Sequence, residues 1–196
     1  MANRTRSYPN SPTFDTLVII TVVFIIQLVL VAIGIGTAAV ALALPFTERP
    51  WTLITSVYAH ASLNHLLMNA MALGIFGLIV ERRTSRARFH GFILGSGSIA
   101  GAAEVLVAGF LGHAVLVLGI SGAVFALMGY VVAANPMSAA ILGRFKPSRR
   151  VQIVLVIVLA GAITILTAAD GVALIAHFIG FVIGLVSGRY RILIDR

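Results

Sequence analysis

The chain is 196 residues long, 60% hydrophobic and only 10% charged, with 14 Lys and Arg against 6 Asp and Glu and a formal net charge of +8. So little charge cannot cover a water-soluble domain, which makes the bilayer the natural solvent. The positive excess does not point to nucleic acid, because the basic residues fall in short bursts between apolar runs and not on one face. There is no cysteine, which excludes disulfides, thiolate metal sites and a cysteine nucleophile.

A hydrocarbon core of ~30 Å takes about 20 helical residues. Apolar runs near that length occur at 16–36, 63–80, 89–111, 121–134, 151–168 and 172–188. They predict an all-α membrane protein of six transmembrane helices in one domain (16–188), between a short cytoplasmic tail (1–15) and a short basic cytoplasmic tail (189–196). The first run is too long for a cleavable signal and is expected to stay as a span. The fourth is short and stops at Asn135-Pro136, where proline withholds a donor.

Charge orients the spans. Arg4 and Arg6 precede the first; Arg82, Arg83, Arg86 and Arg88 follow the second; Arg144, Lys146, Arg149 and Arg150 follow the fourth; Arg189, Arg191 and Arg196 follow the sixth. Only Arg49 falls on the other side, so basic residues held inside place both termini in the cytoplasm. The outer connections are 37–62, 112–120 and 169–171. The first contains ALALPFTERPWTLITSVYAH, whose prolines, Trp51 and Tyr58 suit a segment lying in the membrane interface.

Polar residues on different spans reach one depth. At ~1.5 Å per residue, His177 lies about 18 Å above Arg189, Ser121 about 21 Å above Asn135, and Asn69 and His65 about 18 and 24 Å above Glu81. His65 and Asn69 are four apart and share a helix face. Gly180, Gly184 and Gly188 repeat every fourth residue beside His177, while Gly122, Ala126 and Gly129 line the fourth run. If these small-residue faces pack, Ser121 and His177 come within hydrogen-bond reach. Intramembrane ionisable groups are functional candidates by default. A serine hydroxyl next to a neutral histidine can be activated as a nucleophile, while His65 and Asn69 read either as an interhelical hydrogen-bond clamp or as part of a polar functional layer. His60, Ser62 and Asn64 at the outer end of the second span could line water access. Glu104, about 24 Å above Arg88, is expected as an outer-surface carboxylate or one neutralised by burial, with a third catalytic member as the alternative. Gln27 is expected in an interhelical bond, and His90 and His113 at the interfaces. No cluster has metal-ligand spacing, and neither a metal nor a cofactor is expected.

Three motifs then resemble the rhomboid family of intramembrane serine proteases: HASLNHLLMN (His60 to Asn69), GISG (Gly119 to Gly122) continuing into AVFALMGY, and AHFIGFVIG (Ala176 to Gly184). GLIVER, ending in Glu81-Arg82, fits the same pattern, so the resemblance covers most of the chain from Trp51 onward. It implies a six-helix bundle with both termini inside and a short central fourth helix that begins at the nucleophile. It implies Ser121 as nucleophile and His177 as general base, a dyad without an obligatory carboxylate. His65, Asn69 and the Ser121 amide would form the oxyanion hole, with Gly119 in the loop that shapes it. The implied partners are transmembrane protein substrates, cut near the outer end of a span within the lipid bilayer. Two positions depart from the pattern: Trp51 is followed by Thr52 where relatives often carry arginine, and Phe125 stands where tyrosine is common. Phe125 is expected to pack on the His177 ring beside the substrate path.

Two other functions are open to such a chain. An inactive relative that only binds membrane proteins would not need both Ser121 and His177. A small transporter would need polar groups continuing inward, whereas the fourth and sixth spans below Ser121 and His177 are apolar. Compact size suggests a prokaryotic cytoplasmic membrane, with the active site opening to the extracytoplasmic side.

Overall fold

The computed structural model describes residues 11–135, 144, 148–167 and 173–194. The expected turn at 169–171, Pro136 and the basic residues Arg4, Arg6, Lys146 and Arg196 lie outside the described residues. Seven α-helices form among those described: α1 (Pro12–Ala32), α2 (Thr52–Tyr58), α3 (Leu63–Val80), α4 (Arg86–Phe110), α5 (Ser121–Ala134), α6 (Arg149–Leu166) and α7 (Leu174–Arg189). The described residues contain no strand beyond one isolated antiparallel bridge between Leu42 and Val117.

Four helices, α1, α3 with its following 3-10 turn, α4 and α6, are long and apolar enough to cross a membrane. The other two apolar helices are shorter. α5 has 14 residues and α7 has 16, or ~21 and ~24 Å against a hydrocarbon core of ~30 Å. The shortness expected of the fourth run therefore applies to the sixth as well. The expected interfacial segment contains a 3-10 turn at Thr37–Ala39 and the short helix α2.

Local chemistry explains where the long helices start and stop. Ser11, Ser62, Ser85 and Ser148 are the N-caps of α1, α3, α4 and α6, and each hydroxyl accepts an amide proton three residues on. α1 ends in a Schellman turn: Gly34 takes φ +86°, and the Ile35 amide reaches back to the Leu30 carbonyl at 2.9 Å. α4 ends the same way at Gly112 (φ +79°), with His113 N–H on the Ala108 carbonyl at 2.9 Å. α5 and α7 differ, because their N-caps, Ile120 and Ala173, have no side chain to offer.

α5 sits at the centre, packed against α3, α4 and α7. Its approach to α7 is the closest in the fold. A Cβ on Gly180 would collide with the Gly122 carbonyl, one on Gly184 with the Ala126 carbonyl, and one on Gly188 would lie 2.6 Å from the Tyr130 carbonyl. The small-residue faces expected to pack do meet, because only hydrogen at these positions lets two backbones touch. α6 lies on the far side of α7, where Ala160 packs on Phe181 and Leu185. Most of its large aliphatics, Ile153, Val154, Ile157 and Val158 among them, are exposed on the surface that lipid would cover.

At the opposite end of the bundle Glu81 Oε2 accepts from Ser11 Oγ (2.7 Å) and Thr13 N–H (3.0 Å), joining the start of α1 to the end of α3. Asp15 pairs there with Arg86 at 2.7 Å and with His90 at 3.2 Å.

Candidate active site

Ser121 is the first residue of α5, half-buried, and the loop leading to it is fixed from both sides. Val117 exchanges both backbone hydrogen bonds with Leu42, and the Gly119 amide donates to the Ser56 carbonyl at 2.8 Å. Gly119 has φ +124°, a conformation that strains any side chain. A Cβ there would also stand 2.7 Å from His65 Cε1 and 2.9 Å from His65 Nε2, with Asn69 Nδ2 at 3.7 Å. Gly119, His65 and Asn69 are thus gathered at one point, two residues before Ser121.

The donors at this point are oriented. The Ala61 amide donates to His65 Nδ1 at 3.5 Å, which leaves Nε2, the nitrogen facing Gly119, to carry the proton of the neutral ring. Asn69 is buried, and its Nδ2 has no hydrogen-bond partner among the described residues. No side chain caps α5, so its opening amides add backbone donors beside the same loop.

His177 lies in the first turn of α7, 7% exposed, with its Nδ1 buried and unpartnered among the described residues. The Phe125 ring stacks on it, with centroids 4.0 Å apart and planes 17° apart. Phe125 is one turn after Ser121, so both share the α5 face turned to the histidine. No hydrogen bond joins Ser121 Oγ to His177 among the described residues; the ring stack is the side-chain contact that His177 makes with α5.

The residues expected to line water access separate. Asn64 is exposed, whereas His60 is fully buried. The Gln27 carboxamide explains this: its Nε2 donates to the His60 carbonyl (2.8 Å) and its Oε1 accepts from the His60 amide (3.1 Å). The His60 ring stands edge-on to His65 at 5.1 Å, with Nδ1 3.1 Å from the Tyr58 carbonyl. Burial, and secondarily the neighbouring His65, push its pKa down to about 4, so His60 is a neutral ring that backs His65.

Thr52, at the position of the missing arginine, does not leave the outer segment loose. The Arg49 guanidinium donates to the Ala38 carbonyl, Trp51 Nε1 to Ala39 (3.1 Å) and Thr55 Oγ1 to Val40 (3.1 Å). Ser98 Oγ on α4 reaches the Leu53 carbonyl at 2.6 Å and docks α2 on the bundle. These anchors leave no mark in the sequence, since a side chain bonded to a distant carbonyl follows no local pattern.

An all-helical bundle with four helices able to cross a membrane, built around a short central helix that begins at Ser121, defines a class of integral membrane protein. The profile of the Rhomboid domain matches residues 47–193, and the chain belongs to that family. A relative from Bacillus subtilis (strain 168), named "Putative rhomboid protease YdcA", is 39% identical over 79 residues, 40% of this chain. The match spans 38% of that relative's length.

Proposed function

We propose that the chain is an intramembrane serine endopeptidase that hydrolyses a peptide bond near the outer end of a substrate's transmembrane segment. Ser121 is the nucleophile and His177 the general base. The observation that carries this reading is the placement of the His177 ring on Phe125, one helical turn from Ser121. The unformed Ser121–His177 hydrogen bond is compatible with it, because catalytic hydrogen bonds in a substrate-free site are often long and tighten on binding.

In the proposed reaction Ser121 Oγ attacks the scissile carbonyl carbon while its proton passes to His177. The resulting oxyanion is stabilised by His65 Nε2–H, Asn69 Nδ2 and the opening amides of α5. Collapse of the tetrahedral intermediate expels the amine, which takes the proton from His177 and leaves an acyl-serine. Water, deprotonated by His177, then releases the acid and restores the serine. The Asn69 amide suits this role because its donor is buried and unspent. A peptide bond inside an intact helix is shielded by its own hydrogen bonds, so substrates are selected by how readily the segment unwinds.

The topology that goes with this reading has six crossings with both termini in the cytoplasm, following the basic residues. The site opens to the extracytoplasmic side of a prokaryotic cytoplasmic membrane. The full-length protein, reconstituted with a tagged single-span substrate, tests the proposal. Ser121→Ala and His177→Ala should each abolish cleavage while the protein stays folded, and cutting by purified Ser121→Ala protein would reject the nucleophile.

A further inference from the structure

α5 and α7 carry the proposed dyad, and neither has a capping side chain of its own. At α7 the missing cap comes from another helix. Glu104 Oε2 on α4 accepts the Ala176 amide proton at 2.9 Å, across 72 residues of sequence. Ala176 is the third residue of α7, where a helix's own N-cap normally accepts, and it immediately precedes His177.

The bond stands above a tight junction. Ala100, one turn before Glu104 on the same face of α4, has its Cβ 2.7 Å from the point a Gly122 Cβ would occupy. The Ala176 carbonyl lies 3.6 Å from that point. The neighbours of both Ser121 and His177 therefore meet against the α4 turn that ends in Glu104. Packing sets how closely the helices approach, and the directional bond to Ala176 sets the rotation and depth of the first turn of α7.

We infer that Glu104 is the positioning residue of the proposed general base: through the Ala176 amide it fixes the turn that aims His177 at Ser121. This rests on the Ser121–His177 reading. Among the described residues His177 Nδ1 has no partner to orient the ring, so its aim depends on the Phe125 stack and on where the α7 backbone begins. Glu104 touches neither substrate nor reacting atoms, and its effect falls on turnover. A misplacement near 1 Å can cost on the order of 100-fold in rate.

Steady-state cleavage of a single-span substrate by the reconstituted full-length protein tests this. Glu104→Ala should lower kcat by ~10- to 100-fold per folded molecule, with KM changed by less than about twofold. Glu104→Gln keeps an acceptor oxygen at the same reach and should restore kcat to within about threefold of the parent. Glu104→Asp, one methylene short, should fall between them, and it decides the matter if Glu104→Ala does not fold. A parent-level kcat in Glu104→Ala, or in Glu104→Asp where the alanine variant is unfolded, overturns the positioning role and leaves the dyad standing. Activity surviving in Ser121→Ala under the same assay overturns the dyad, and with it this inference.

Discussion

The imidazole of His177 and the phenyl ring of Phe125 lie face to face, 4.0 Å between centroids and 17° between planes. The ring on α5 thereby limits the rotamers of the residue on α7. Phe125→Ala should lower turnover by about tenfold, the scale of a modest misalignment, while Phe125→Tyr keeps the stack and most of the rate. Parallel kcat measurements check this, and an unaltered rate in the alanine variant contradicts it.

Gly119 is constrained twice, by φ +124° and by the His65 ring 2.7 Å from where a methyl would go. Gly119→Ala must therefore move the loop or the ring. Cleavage should fall by more than about 100-fold, and the strain at this φ should lower the melting temperature as well. Full activity would show that the loop and His65 yield without consequence.

Asn69→Ala removes a buried donor that has no partner among the described residues. Loss of one oxyanion donor typically costs ~10²–10³ in rate, and KM should hardly move. A change confined to KM would assign Asn69 to substrate binding.

The three motifs and the spacing of the small residues made the family and the α5–α7 contact legible in the sequence. Gly180 and Gly184 could be read because a repeat of four on one helix is a local pattern with one physical use. The family's arginine is missing after Trp51, but Arg49 anchors the same segment through Ala38, a contact between backbone and side chain that no spacing encodes. Glu104 was opaque for the same reason, its partner lying 72 residues away. His60, a polar residue expected to line water access, is buried, and Gln27 satisfies its backbone from α1.

His60 also gives the fold an acid sensitivity. Its folded pKa, about 4, lies below the ordinary 6.5, so between those values the unfolded chain binds the extra proton. Stability is complete above about pH 6.5 and declines toward pH 4. Melting temperature in detergent should drop across that window, and less steeply in His60→Asn. Equal slopes in the two proteins would remove His60 from the effect.

Overpacking tests the α5–α7 seam. Gly184→Val drives a side chain into the Ala126 carbonyl and should destabilise the fold by about 1–3 kcal/mol or more, seen as a lower melting temperature. An unchanged melting temperature would mean the helices can separate freely there.

Intact-protein mass spectrometry after exposure to a fluorophosphonate probe tests the central claim most directly. One adduct at Ser121, absent from both Ser121→Ala and His177→Ala, is the predicted result. An adduct that persists in His177→Ala at the parent rate, or none on the folded parent, would contradict a serine activated by that histidine.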